Sequence, residues 1–257
     1  MKNLKILCLN CQKAYNPNIK QFLQKILESN FYDFLLLQEA NEKIIPIIRG
    51  LGQYNILSAM NPDNQIESHL RILYRNRFVL KDKSLLSFSK MNRSFALRGE
   101  LGFLLGTFDC DGETIMLGSL HLHPGFPFHL RMKETNIVKK HIQNYGGLKN
   151  PVIFGGDLNL AYPWENWLTR KYFSRNFIDA TINTGPTLDG LYTEKGTHLA
   201  SKIGNMLTTL GISVKFKTDK LFVGKNIAGQ NKITTRVLPD RVSDHSPIEL
   251  IIYQNNL

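Results

Sequence analysis

No apolar run in the 257-residue chain approaches the roughly 20 residues that a bilayer-spanning helix needs. No secretory leader is expected, because the stretch from Met1 to Asn10 is too short in its apolar part. A chain that starts at methionine and carries neither segment is expected to be unprocessed and cytoplasmic, with export by a dedicated secretion system left open. Cysteine is scarce. Cys8, Cys11 and Cys110 make no disulfide framework, which points to a reducing compartment. Cys8 and Cys11 form a C-x-x-C, yet Cys8 lies inside an apolar strand and no second pair completes a zinc site. Also missing are G-x-S-x-G, the Walker A loop and G-x-G-x-x-G, so no nucleophile elbow, P-loop or dinucleotide fingerprint is present. No repeat of fixed period, low-complexity tract or linker interrupts the sequence, and residues 1–257 read as one domain.

Acidic residues are the scarcer charge: 21 Asp and Glu stand against 32 Lys and Arg, a net charge of +11. The excess is spread along the chain. It raises the prior for a polyanionic partner, whether nucleic acid, a phosphorylated substrate or an anionic membrane. Many basic proteins have no such partner, so charge alone decides nothing. No feature calls for an obligate protein partner. Hydrophobic content of 42% is ordinary for a globular domain with one large core.

Apolar periodicity gives the elements. Leu4–Leu9 is a strand ending at Asn10. Pro17 opens a helix with Ile19, Phe22, Leu23, Ile26 and Leu27 on one face. Phe34–Leu37 is a second strand, ending at Gln38-Glu39, and a second helix is expected over Glu42–Arg49. Strands are expected at 54–57, 70–74, 77–81, 84–88 and 93–98. Asp111-Gly112 is a hairpin turn between Gly102–Cys110 and Glu113–His121. A helix is expected over Leu130–Asn144. Pro151–Leu160 then runs from apolar and small residues straight into Asp157 and Asn159, as a buried strand does at its end. Strand alternation would point both of these polar side chains the same way. Pro163–Phe173 reads as a helix, 179–213 as loop-rich, 213–216 and 221–223 as strands flanking Asp219, 224–241 as a basic loop, and Ile248–Tyr253 as the last strand. Many strands with helices between them suggest an α/β sandwich of two packed sheets with helices outside.

The polar residues at strand ends form a set. Asn10, Glu39, His121, Asp157 and Asn159 follow strands, while Asp219 and the pair Asp244-His245 precede them. In a mixed sheet, antiparallel neighbours bring both kinds of end to one edge. Each residue alone has an ordinary reading, as a turn former, an ion-pair partner or a core histidine. Together they supply hard oxygen ligands suited to Mg²⁺ or Mn²⁺, and imidazole for proton transfer. Water activated near a metal is the simplest nucleophile for such a set. His121-Leu-His123 also admits a two-histidine zinc motif, disfavoured because no Asp or third His follows at the spacing zinc hydrolases use.

The ordered motifs Leu9-Asn10, Leu37-Gln-Glu39, Ser119-Leu-His121, Gly156-Asp-Leu-Asn159, Thr218-Asp219 and Ser243-Asp-His-Ser-Pro247 resemble the endonuclease/exonuclease/phosphatase superfamily along the whole chain. The resemblance implies a four-layered α/β sandwich, a divalent metal and phosphoester hydrolysis. By position it implies Glu39 as the main metal ligand, with Asn10 and Asp244 nearby. It makes Asp157 and Asn159 the pair that positions water and phosphate. His245, oriented by Asp219, is similar to the family's base or transition-state donor. His121 is similar to the histidine of the deoxyribonuclease and sphingomyelinase branches. Departures at Asn159-Leu-Ala161 and Phe216-Lys-Thr-Asp219 separate the chain from the 5-phosphatases, and His121 and Thr218-Asp-Lys-Leu221 separate it from the apurinic endonucleases. The expected function is a metal-dependent phosphodiesterase acting on nucleic acid. The alternative is a phospholipid or inositol phosphate hydrolase, the only reading under which membrane contact is possible. Two stretches are expected to border the cleft. Residues 163–175 interleave Trp164, Trp167, Tyr172 and Phe173 with Arg170, Lys171 and Arg175, and residues 224–241 carry Lys225, Lys232, Arg236 and Arg241.

Overall fold

Two sheets of six strands lie face to face, and helices cover both outer surfaces. The computed structural model describes residues 3–12, 17–50, 52–60, 67–88, 101–124, 128–146, 149–160, 163–189, 215–240 and 243–254. The expectations for a strand at 93–98, for most of 179–213 and for Arg241 fall outside these residues.

The first sheet contains β1 (Leu4–Asn10), β2 (Phe34–Gln38), β3 (Tyr54–Leu57), β4 (Arg71–Arg75), β13 (Asn231–Val237) and β14 (Ile248–Gln254), in the order β13-β14-β1-β2-β4-β3. The second contains β5 (Val79–Ser87), β6 (Gly102–Cys110), β7 (Glu113–His121), β8 (Val152–Asp157), β9 (Phe177–Asp179) and β12 (Asp219–Gly224), in the order β5-β6-β7-β8-β12-β9. A short ribbon pairs β10 (Leu188–Asp189) with β11 (Lys215–Phe216).

Each six-stranded sheet has one parallel pair, β1/β2 and β7/β8. A parallel pair needs a crossover, and a helix supplies it each time: α1 (Pro17–Glu28) and α3 (Phe128–Asn144). Among the described residues the remaining helices are α2 (Ile45–Gly50), α4 (Pro163–Phe173) and the single turn α5 (Lys225–Ala228). Alternation along the strands sorts the side chains into layers. From β1, Leu4, Ile6 and Cys8 enter the core between the sheets, whereas Leu7 and Leu9 face outward against α1 and α2. From β8, Ile153 enters the same central core, whereas Val152 and Phe154 face outward with Val138, Ile142 and Phe173 of α3 and α4. The result is the expected four-layered sandwich.

Several expected boundaries change, each for a physical reason. Helix α2 starts at Ile45 rather than Glu42, which puts Pro46 in the first turn, where its missing N–H costs nothing. The two strands expected at 77–81 and 84–88 are the single strand β5, whose register shifts between Leu80 and Asp82 and so breaks the alternation. The expected basic loop at 224–241 is instead α5 followed by β13, an edge strand. The Asp111-Gly112 turn joins β6 and β7 with both residues at positive φ, 57° and 89°. No helix among the described residues is long and apolar enough to cross a membrane.

Candidate active site

The parallel pairs decide where the polar residues meet. Asn10 ends β1 and Glu39 follows β2, while His121 ends β7 and Asp157 ends β8. The sheets pack β1 against β8 and β2 against β7, so all four strand ends reach one edge of the sandwich. The antiparallel strands begin there: Asp219 opens β12 opposite Asp157, and Asp244-His245 lead into β14 beside β1.

Close approach of the two sheets at this edge depends on a buried link. Gln38 Nε2 donates to Ser119 Oγ at 2.9 Å, and that hydroxyl donates to Leu37 O at 3.0 Å. Gly156 sits at φ 147°, and a Cβ there would lie 1.9 Å from Leu120 O. Only glycine fits. Just beyond the strand ends, Glu39 and Asn159 adopt positive φ, 50° and 53°. Left-handed backbone is uncommon outside glycine, more so for Glu than for Asn, and such strain gathers at functional sites.

Asn10 is the hinge of the acidic side. Its Nδ2 donates to Asp157 Oδ2 at 3.0 Å and to Glu39 Oε1 at 3.3 Å, while its Oδ1 accepts from Gln12 N at 2.9 Å. His121 Nε2 lies 3.7 Å from Asp157 Oδ2 and 3.9 Å from Glu39 Oε1. His245 Nδ1 is 2.8 Å from Asp219 Oδ2, and its Nε2 is 3.5 Å from Asp157 Oδ2 and 3.9 Å from Asp244 Oδ1. These distances bring seven of the eight residues singled out in the sequence into one continuous cluster. Asn159 adjoins it in a different way from that expected. β8 ends at Asp157, so strand alternation stops there. Asn159 Nδ2 instead donates to Leu122 O at 2.8 Å, and its backbone N–H donates to Asp157 Oδ1 at 2.8 Å.

Burial governs the charges. For His245, burial alone would lower the pKa, but Asp219, Asp157 and Asp244 together raise it well above the ordinary value. Burial raises the pKa of Asp157, against the pull of His245. Asp219 is held below the ordinary range: burial opposes this, and His245, Thr187 and Thr218 outweigh it. Burial pushes Asp244 up to about 6, with the charges of Glu39, Asp157 and Asp219 adding to the shift.

Among the described residues, Asp157, Asp219 and His245 offer ligand atoms within 4.8 Å of one another. That trio is already joined by the His245–Asp219 hydrogen bond. The side toward Glu39 fits a cation on a separate ground: Asp244 Oδ1 is buried and has no hydrogen-bond partner among the described residues, with Glu39 and Asp157 nearby. A hard divalent cation satisfies such crowded carboxylate oxygens.

Some contributors were not read from the sequence. Thr187 Oγ1 accepts from Asp219 N at 3.1 Å, and Thr187 O accepts from Ser246 N at 2.7 Å, so one threonine braces both halves of the histidine–aspartate pair. Ser243 Oγ donates to Asn10 O at 2.9 Å, tying the last strand to the first. Threonine and serine in turns give no pattern that separates these two from the rest. His123, the second histidine of the disfavoured zinc motif, pairs through Nδ1 with Glu134 of α3. Arg236 Nε lies 2.6 Å from the buried Glu249, the second residue of β14, while Lys232 sits opposite Tyr253, well along β14 from the edge that holds the cluster.

No protein-family model matches the chain, and no curated protein matches its sequence. Solved structures do. TDP2 from D. rerio, complexed with a single-strand DNA product, superposes with a TM-score of 0.73 over 99% of this chain and 100% of that chain, at 16% identity. An endonuclease/exonuclease/phosphatase from Bacteroides vulgatus gives 0.72 over 99% and 100%, also at 16% identity. TDP2 from C. elegans gives 0.67 over 98% of this chain and 75% of that chain, at 18% identity. At such identities the likeness speaks for architecture, and the chain is built on the α/β sandwich of the endonuclease/exonuclease/phosphatase proteins.

Proposed function

We propose that the chain is a divalent-metal-dependent phosphodiesterase that hydrolyses nucleic-acid phosphodiester bonds by attack of water. The observation that carries this reading is a buried imidazole held through Nδ1 by Asp219, with its Nε2 turned toward an edge crowded with carboxylates. A nucleophile of the protein's own is not needed for that arrangement, but a cation is. Mg²⁺ or Mn²⁺ held by Glu39, with Asn10 and Asp244 beside it, would neutralise charge that builds on the phosphoryl oxygens.

The protein groups divide the remaining work. Asp157 is oriented by Asn10 and by the Asn159 backbone, and its raised pKa suits it to accept a proton from the attacking water. Water's oxygen forms the new bond to phosphorus as the bond to the leaving oxygen breaks. His245 donates from Nε2 to a phosphoryl oxygen, since its Nδ1 is committed to Asp219. His121, beside Glu39 and Asp157, is placed to donate to the same group or to protonate the leaving oxygen. Asn159 helps position the phosphate. The D. rerio TDP2 structure with a single-strand DNA product supports nucleic acid as the substrate class.

The test is a screen with Mg²⁺ or Mn²⁺, and with EDTA, across single- and double-stranded DNA, RNA, sphingomyelin and phosphoinositides. Metal-dependent cleavage of DNA or RNA is expected. Hydrolysis of a phospholipid or inositol phosphate with no action on nucleic acid would replace the nuclease reading with the lipid one.

A further inference from the structure

Helix α4 leaves the catalytic edge carrying both tryptophans of the chain. It follows Asn159 closely, and its inward face is fixed: Glu165, Thr169 and Phe173 are buried at four-residue spacing. Glu165 pairs with Arg131 of α3, and Lys139 Nζ donates to Tyr172 O at 3.1 Å, so the helix has no freedom to roll. Trp164, Trp167 and Lys171 consequently form an outward stripe at spacings of three and four. Trp164 is 48% exposed and Trp167 51% exposed. The ring of Phe128, the first residue of α3, meets the Trp164 ring at 4.4 Å. Lys171 Nζ lies 4.9 Å from the centre of the Trp167 ring.

Both helices begin where catalytic strands end. β7 closes with His121 before α3, and β8 closes with Asp157 before α4. The Phe128–Trp164 pair therefore stands at the rim of the catalytic edge, and the stripe runs outward from it. Indole is an amphipathic ring whose face takes planar partners. The one acid of α4, Glu165, is buried and paired, so the exposed stripe carries positive charge alone. Planar groups combined with negative charge describe a nucleic-acid strand. A base in a duplex has both faces covered by its neighbours, whereas an unpaired base has a free face.

Resting on the phosphodiesterase reading, we infer that the exposed stripe Trp164–Trp167–Lys171, with Phe128, is a stacking rail that takes single-stranded nucleic acid and leads it to the catalytic edge. Stacking of this kind is sequence-tolerant and combines with a salt-dependent backbone contact.

The two residues are the only tryptophans, so the intrinsic tryptophan fluorescence of the whole protein reports this stripe and nothing else. In EDTA, where turnover is withheld, oligo(dT) and oligo(rU) are titrated into the protein at low salt, beside a blunt DNA duplex and vesicles of phosphatidylcholine and phosphatidylserine. Quenching by the single strands is expected, weaker with rising salt and far weaker with the duplex. Anisotropy of a labelled oligo(dT) should show Trp164→Ala and Trp167→Ala each weakening binding about tenfold, the ratio that a loss of about 1.4 kcal/mol gives. Trp164→Phe should retain most of the affinity. Unchanged thermal melting is expected of all three variants, since the side chains are half exposed. No quenching by single strands at low salt would overturn the inference, as would unchanged affinity in both alanine variants. A shift of the emission by vesicles alone would overturn it in favour of a membrane surface. Quenching by single strands without hydrolysis once Mg²⁺ is added would leave the rail standing and refute the phosphodiesterase reading. Hydrolysis of a generic phosphodiester such as bis(p-nitrophenyl) phosphate without quenching would do the reverse.

Discussion

The imidazole of His245 is buried among three carboxylates, and among the described residues only Asp219 hydrogen-bonds it. That asymmetry fixes the ring: Nδ1 is occupied and Nε2 faces Asp157. If the two residues act as a unit, Asp219→Asn combined with His245→Ala should be scarcely slower than His245→Ala alone. Steady-state rates of the single and double variants check this, and multiplicative losses would show separate roles. A pH effect follows from the same contact. Asp219 is the strongest influence holding the His245 pKa up, so Asp219→Asn should lower it. On the proposed role of Nε2 as a donor to the phosphoryl group, activity should be lost as pH rises through that pKa. The alkaline limb of the rate profile should therefore move to lower pH in the variant. An unmoved limb would mean that another group sets it.

Element by element, the outer aromatic layer is what seats α4 beside the site. Phe154 of β8 meets Phe173, Phe177 and Phe222 at ring distances of 5.1–5.2 Å, and Phe103 at 6.0 Å. Phe154→Ala should cost about 3–5 kcal/mol, read from urea denaturation, by removing a filled volume that its neighbours cannot close. The main elements were legible in the sequence because their apolar residues kept a clean period: Leu4–Leu9, Phe34–Leu37 and the Asp111-Gly112 hairpin lie where expected. Strand β13 was not, because Lys232, Thr234 and Arg236 mask the alternation of its partly buried Ile233, Thr235 and Val237. A charge-rich edge strand looks like a basic loop when only charge is read. One of its cations, Arg236, serves the fold by pairing with the buried Glu249. Arg236→Ala should destabilise the protein by about 1 kcal/mol, because it leaves the buried Glu249 with the Tyr32 hydroxyl as its remaining hydrogen-bond donor, and it should leave the salt dependence of nucleic-acid binding unaltered. A denaturation midpoint and a salt titration of the same variant check both statements. The candidate residues were legible from their positions at strand ends. The bracing by Thr187 and the turning of His123 onto Glu134 were not, because both depend on contacts far apart in sequence.

On the scale of the whole molecule, two strand–helix–strand units face each other, β1-α1-β2 and β7-α3-β8, and the edge where their parallel strands end holds Asn10, Glu39, His121 and Asp157. The topology therefore places four polar residues at one edge before any side chain is considered, and β12 and β14 bring the histidine–aspartate pair to the same edge. At the opposite edge of the first sheet, Lys5, Arg75 and Arg77 surround Asp33 beside an open cavity of about 630 Å³ that shares no residue with the cluster. At that far edge Asp33 is paired with Arg75 and Arg77, whereas at the cluster Asp244 Oδ1 has no hydrogen-bond partner among the described residues. The most direct measurement is the rate of phosphodiester hydrolysis by the wild-type protein and by Glu39→Gln, each in Mg²⁺ and in EDTA. The account predicts wild-type activity that EDTA abolishes and excess Mg²⁺ restores, and a Glu39→Gln rate lower by roughly a hundredfold or more with little change in melting temperature. Full wild-type activity in EDTA, or an undiminished rate in Glu39→Gln, would contradict it.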